Sequence, residues 1–179
     1  MVAWTGDDGA DFALAWNEWE GYENFWGNMV RWTLPEAWHV TLRFLGGVAP
    51  AVVPVVAGAL GALRSCPPVV AELGPATRRL GRAVLVLPVA GLGEVAAAVD
   101  GALVAAGVGI GPDDRPFRGH LTVARSRGRA SLPAGLSGTP LAARWVVDEV
   151  TLVESTLHGS RGSRYTVLER VPLAGPAHP

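Results

Sequence analysis

The sequence predicts an α+β fold, with helices laid on largely antiparallel sheets. Three observations predict it. Apolar and polar residues alternate over 37–45 and again over 119–125, the period of a strand with one buried face. Two Ala- and Val-rich stretches, 50–64 and 92–107, are long enough for helices. The resulting order is strand, helix, strands, helix, strand, strands, and it falls into two halves that each hold one strand with a His-x-Thr pair.

Taken in order, residues 11–30 place Phe12, Trp16, Trp19, Tyr22, Trp26 and Val30 three and four apart, an amphipathic helix weakened by Gly21 and Gly27. In 37–45, Trp38, Val40, Leu42 and Phe44 point one way, and His39, Thr41, Arg43 and Leu45 the other. The stretch "GGVAP" breaks that strand. Residues 50–64 read as a helix with Pro54 near its start. A strand is expected around 69–75 and a buried one at 82–91, then a helix over 92–107 that stops at Gly107. After a loop at 111–117, the strand 119–125 carries His120, Thr122 and Ala124 on one face and Leu121 and Val123 on the other. Residues 126–141 read as a flexible polar connection. Residues 144–155 and 163–173 read as the two strands of a hairpin.

The length, 179 residues, suits one domain or two small lobes sharing a core, and the 49% apolar content argues against disorder. A single cysteine, Cys66, excludes a disulfide framework and a cysteine zinc site and fits a reducing, cytoplasmic setting. No signal peptide is read at the acidic start, and no apolar run nears the roughly 20 residues of a membrane span. Residues 1–36 hold seven acids against one arginine, a balance of −6, while the remainder balances at +5. Every cationic side chain is arginine, and Arg115, Arg118, Arg125, Arg127 and Arg129 surround His120. Arginine forks suit bidentate phosphate contacts, although such runs are more often a solvated face.

On a strand, residues i and i+2 share a face about 7 Å apart. His39 with Thr41, and His120 with Thr122, can therefore each reach one ligand together. An imidazole exchanges protons near neutral pH, and a hydroxyl donates to an oxyanion beside it. Two such strands facing one another suit a phosphodiester, with one histidine activating water and the other protonating the leaving oxygen. Two histidines fall short of the three protein ligands a catalytic metal needs, and no G-x-S-x-G is present. His158 and His178 lack a threonine at i+2 and read as non-catalytic.

The stretches "RWTLPEAWHVTLRFLG", "RPFRGHLTVAR" and "DEVTLVESTL…SRYTVLERVPL" resemble the paired motifs and closing hairpin of the 2H phosphoesterase superfamily. The likeness is greatest to its RNA 2′,3′-cyclic phosphodiesterase branch, also called 2′–5′ RNA ligase or LigT-like. The resemblance covers residues 31–173. It implies a bilobal, duplicated fold with two antiparallel sheets lining a central groove and helices outside. It further implies a metal- and cofactor-free hydrolase that converts an RNA terminal 2′,3′-cyclic phosphate to a 2′-phosphate. By the same analogy His39 is the proton donor and His120 the proton acceptor, with Thr41 and Thr122 on the phosphate oxygens. Arg43, on the face of His39, and Arg125, at the end of the second motif, are candidate substrate-binding residues. Strict alternation puts Arg125 on the wrong face, so it needs a strand end that twists away. The implied partner is RNA with a cyclic phosphate end, tRNA fragments among the candidates, bound by a monomer without a membrane. Alternatives are a small cyclic nucleotide or ADP-ribose derivative as substrate, or an RNA-end-binding module with little turnover. Residues 1–30 depart from the pattern as an atypical Trp-rich segment, the family's short opening strand being missing or replaced; 174–179 is a loose tail. Gly119, where proline is frequent in the family, is expected only to loosen the approach to His120.

Overall fold

A computed structural model describes residues 1–4, 30–109, 116–128, 131–157 and 163–174. Ten strands are named in chain order: β1 (Val2–Trp4), β2 (Val30–Trp32), β3 (Val40–Arg43), β4 (Val69–Leu73) and β5 (Arg78–Leu80). They continue as β6 (Val84–Ala90), β7 (His120–Ser126), β8 (Ala143–Val147), β9 (Glu149–Leu157) and β10 (Ser163–Pro172). The helices are α1 (Val53–Leu60), flanked by 3-10 turns, and α2 (Gly93–Ala105). The expected tryptophan-rich helix lies outside the described residues, as do His158, His178, Arg115 and Arg129. No helix among the described residues is long and apolar enough to cross a membrane.

Every strand pairing is antiparallel, along the order β10-β9-β1-β3-β7-β6-β4-β8, with β2 also on β7 and β5 also on β6. Along that path four strands lie on each side of the β3/β7 seam, and β2 and β5 add two more on the β7 side. The α+β class and the two-part sheet are those expected. A short opening strand is present, where the expectation was of one missing or replaced. Val2–Trp4 pairs with both β3 and β9, so the first residues belong to the sheet rather than to a separate segment. Three residues are too few to show a period in sequence.

From β3 onward the chain crosses the seam twice. β4 follows β3 in the chain but pairs with β6 and β8, and β9 follows β8 but pairs with β1 and β10. The expected strand 144–155 is accordingly two strands parted at Asp148: β8 pairs with β4 on one side, and β9 with β10 and β1 on the other. The connection after β7 is also less loose than its composition suggests. Leu132 and Leu136 are buried, Thr77 Oγ1 donates to Leu136 O at 2.6 Å, and the Thr139 amide donates to Thr77 Oγ1 at 3.0 Å.

One sheet face is the core. Val40, Leu121, Leu85, Leu87 and Val89 are buried there with Val56 and Leu60 of α1 and Val95, Val99 and Leu103 of α2. Gly58 and Gly101 sit in exposed helix interiors with open space where a Cβ would go. Alanine at either position is expected to raise stability by about 0.4–1 kcal/mol, chiefly by restricting the unfolded chain. Chemical denaturation of each variant checks this, and a lower midpoint would contradict it.

Candidate active site

The two His-x-Thr strands meet at a single residue pair, Val40 with Leu121. Each of these follows its histidine directly, and each is buried in the core. Their neighbours therefore lie on the opposite face. Counting out from the pair, Thr122 stands across from His39 and His120 across from Thr41. This makes a four-cornered cluster with sides of about 5 Å across the strands and about 7 Å along them. Beyond the seam pair β7 leaves β3 and takes β2 as its neighbour, with Arg31 opposite Arg125.

Both histidines are held in the same way. His39 Nδ1 donates to Ala37 O at 2.8 Å, and His120 Nδ1 donates to Arg118 O at 2.9 Å. A carbonyl only accepts, so each Nδ1 carries the proton and each Nε2 is left to exchange one. The acceptors are themselves fixed. Ala37 ends a 3-10 turn, its amide donating to Leu34 O at 2.9 Å, and Trp38 Nε1 closes the turn on Thr33 O at 2.9 Å. On the other side the Val89 amide donates to Gly119 O at 2.9 Å, beside Arg118.

A bulge interrupts both strands at the same place. On β1 the consecutive residues Ala3 and Val2 pair with Thr41 and Arg43, so Leu42 is extra. On β6 the consecutive residues Val86 and Leu85 pair with Thr122 and Ala124, so Val123 is extra. Each extra residue is the third after its histidine, and each shifts the alternation that follows. Arg43 is therefore on the core side, not on the face of Thr41. Its guanidinium Nε meets Asp100 of α2 at 3.4 Å, and its side chain is only 11% exposed. This corrects the expectation that Arg43 shares the ligand face of His39. The same shift leaves Phe44, expected in the core, 66% exposed, and turns Leu45 against the core.

In the second strand the shift acts the other way, because Arg125 lies one residue further along. Pro88, Val86 and Val84 alternate evenly on β6, share one face, and pair with His120, Thr122 and Arg125. Arg125 is thus on the face of His120 and Thr122, while Ala124, expected there, is buried in the core. Arg125→Ala is expected to raise KM for a phosphodiester roughly tenfold, the loss of one charge-assisted hydrogen bond. Arg43→Ala should leave kcat and KM within about twofold, since its half-exposed Asp100 partner is a structural one. Steady-state kinetics on the pair distinguishes them; equal losses would contradict the assignment of faces.

His39 is the more enclosed of the two histidines. The Tyr165 ring of β10 lies against it, with centroids 4.5 Å apart and planes tilted at 59°. Met1, Glu36, Trp38 and Val153 complete the small pocket around them. Thr41 Oγ1 donates to Met1 Sδ at 3.2 Å. Burial pushes the His39 pKa below its ordinary 6.5, the positive charges of Arg125 and His120 push the same way, and the Ala37 carbonyl opposes them. Tyr165 has no local signal in the sequence, 126 positions from His39; only the pairings of β10 with β9, β9 with β1 and β1 with β3 bring it there.

The sign of the His39 shift fixes a pH dependence. Between the lowered folded value and 6.5 the unfolded chain binds a proton that the folded chain does not. Stability is therefore unaffected by His39 above 6.5 and falls as pH drops through that window. Tyr165→Ala, by admitting water, should move the His39 titration upward and narrow the window, while Tyr165→Phe should not. Imidazole shifts followed by NMR check both variants.

Among the described residues no three His, Cys, Asp or Glu side chains gather as a metal-binding group. No family model matches the sequence, and no curated protein matches it. Solved structures do. The chain is 24% identical to TT0787 of Thermus thermophilus, with a TM-score of 0.78 and 97% of each chain covered. A protein described as a phosphoesterase is 25% identical, with a TM-score of 0.71 over 96% of this chain and 95% of the other. Apo LigT of E. coli is 24% identical, with a TM-score of 0.69 over 96% and 94%; the same protein has been crystallised with 3′-AMP and with phosphate.

Proposed function

We propose that this chain, which has the LigT-like fold of the 2H phosphoesterases, opens the 2′,3′-cyclic phosphate at an RNA end to a 2′-phosphomonoester. The observation that carries the reading is the Val40–Leu121 register, which sets two Nδ1-anchored histidines and two threonines around one point. LigT's complexes with 3′-AMP and phosphate support a nucleotide phosphate as the ligand class.

In this mechanism the cyclic phosphodiester sits between the strands. Thr41 and Thr122 donate to its non-bridging oxygens, Thr41 exchanging its contact with Met1 Sδ for one to phosphate. Arg125 adds a charged donor from the same face. His120 Nε2 takes a proton from water as the water oxygen bonds to phosphorus. His39 Nε2 gives its proton to the departing 3′ oxygen as the P–O3′ bond breaks. The ring is opened with one water added, and each imidazole is left in the other's former state. Burial is the main cause disfavouring protonated His39; an anionic substrate offsets the smaller contribution of the Arg125 and His120 charges. The enzyme acts in the cytoplasm, as a monomer, without metal or cofactor, and tRNA fragments are among its substrates. Mass analysis of a cyclic-ended oligonucleotide incubated with protein in EDTA should show the gain of one water and a 2′-phosphate. Unchanged mass, or turnover only on adding a divalent cation, would refute it.

A further inference from the structure

We infer that the face of β5, β6 and β7 beyond Thr122 binds a second phosphate, one nucleotide inward from the reacting end, and so selects polynucleotide ends over cyclic mononucleotides. The inference rests on the functional reading above. It is carried by pairing register. Thr122 pairs with Val86, and Val86 pairs with Arg78 on β5. Directly paired residues share a face, so Arg78 stands on the catalytic face, two strands or about 10 Å from Thr122. Arg125, Val84 and Leu80 form the next paired row on that face. The result is a row that begins at Thr122 and sets half-buried Val84 and buried Val86 between two exposed arginines, Arg78 and Arg125.

The charge carried by these strands is one-sided. No Asp or Glu occurs on β2, β5, β6 or β7. Arg79, beside Arg78 in sequence, pairs with Leu85 and turns to the other face, where it donates to Leu132 O at 2.6 Å. Arg78 is thus set apart from its neighbour by the pleat, on the side where the reacting phosphate is held. The opposite half differs: around His39 the site is walled by Tyr165, Trp38 and Val153. A strand with a phosphate at every nucleotide fits a path from the cluster toward Arg78 rather than toward that wall.

The test compares kcat/KM on a cyclic-ended trinucleotide and on a 2′,3′-cyclic mononucleotide, for wild type and Arg78→Gln, with Arg144→Gln as a surface control. Arg78→Gln should lower the trinucleotide value about tenfold and flatten its log–log salt dependence by about 0.7, leaving the mononucleotide value in place. Equal loss on both substrates, or none on either, overturns the inference. If wild type opens neither substrate, the functional reading has failed. The subsite then stands or falls on binding of a 2′-phosphate-ended trinucleotide, which Arg78→Gln must weaken relative to the corresponding mononucleotide.

Discussion

Replacing His39 or His120 by alanine should lower kcat/KM on a cyclic-ended oligonucleotide by about 10²–10⁴ in each case. Both imidazoles have Nδ1 committed to a backbone carbonyl, so neither can substitute for the other by turning its ring without losing that bond. The two act in one proton exchange, and the double variant should be little slower than the slower single variant. Folding must be checked in parallel, because the His39 ring packs on Tyr165 and the His120 ring is only half-buried. His39→Ala should lower the melting temperature more. If either variant turned over within a few-fold of wild type while folded, the two-histidine mechanism would be wrong.

Gly119→Ala should damage both stability and rate. A Cβ there would collide with the Val89 carbonyl oxygen and crowd the Phe117 ring, so the chain on one side must move. Overpacking of this kind costs about 1–3 kcal/mol. The strain falls between Arg118, whose carbonyl anchors His120 Nδ1, and His120 itself. A misplacement near 1 Å costs about 10²-fold in rate when it reaches reacting groups. Gly47, exposed near the first motif, has nothing near its missing Cβ, and Gly47→Ala is the matching control. A loss of stability without a loss of kcat would show that His120 rides through the shift. The same contact corrects the expectation that Gly119 loosens the approach: glycine there allows a tight one.

Much of the fold was legible because each main element buries one stripe or face. The helices at 50–64 and 92–107 and the strands at 82–91 and 119–125 repeat their apolar residues at the period their geometry demands. The His-x-Thr pairs stood out because they break an apolar phase twice in the same way. What stayed hidden follows from pairing rather than composition. A bulge adds one residue and leaves no mark in residue type, so Arg43 was assigned to the wrong face and Arg125 required an unexplained twist. Val2–Trp4 is too short for a pattern. Asp148 divides one apolar stretch between two sheet neighbours, which no local window reveals. Tyr165 reaches His39 only through three successive strand pairings.

The double crossing of the seam bears on how the molecule comes apart. The stretch that supplies the first histidine hands its last strand, β4, to the other side, and the stretch that supplies the second hands over β9. Neither portion can finish its own ladder unaided. Denaturation should accordingly proceed in one cooperative step, with both imidazole environments melting at the same temperature, as for a single undivided unit.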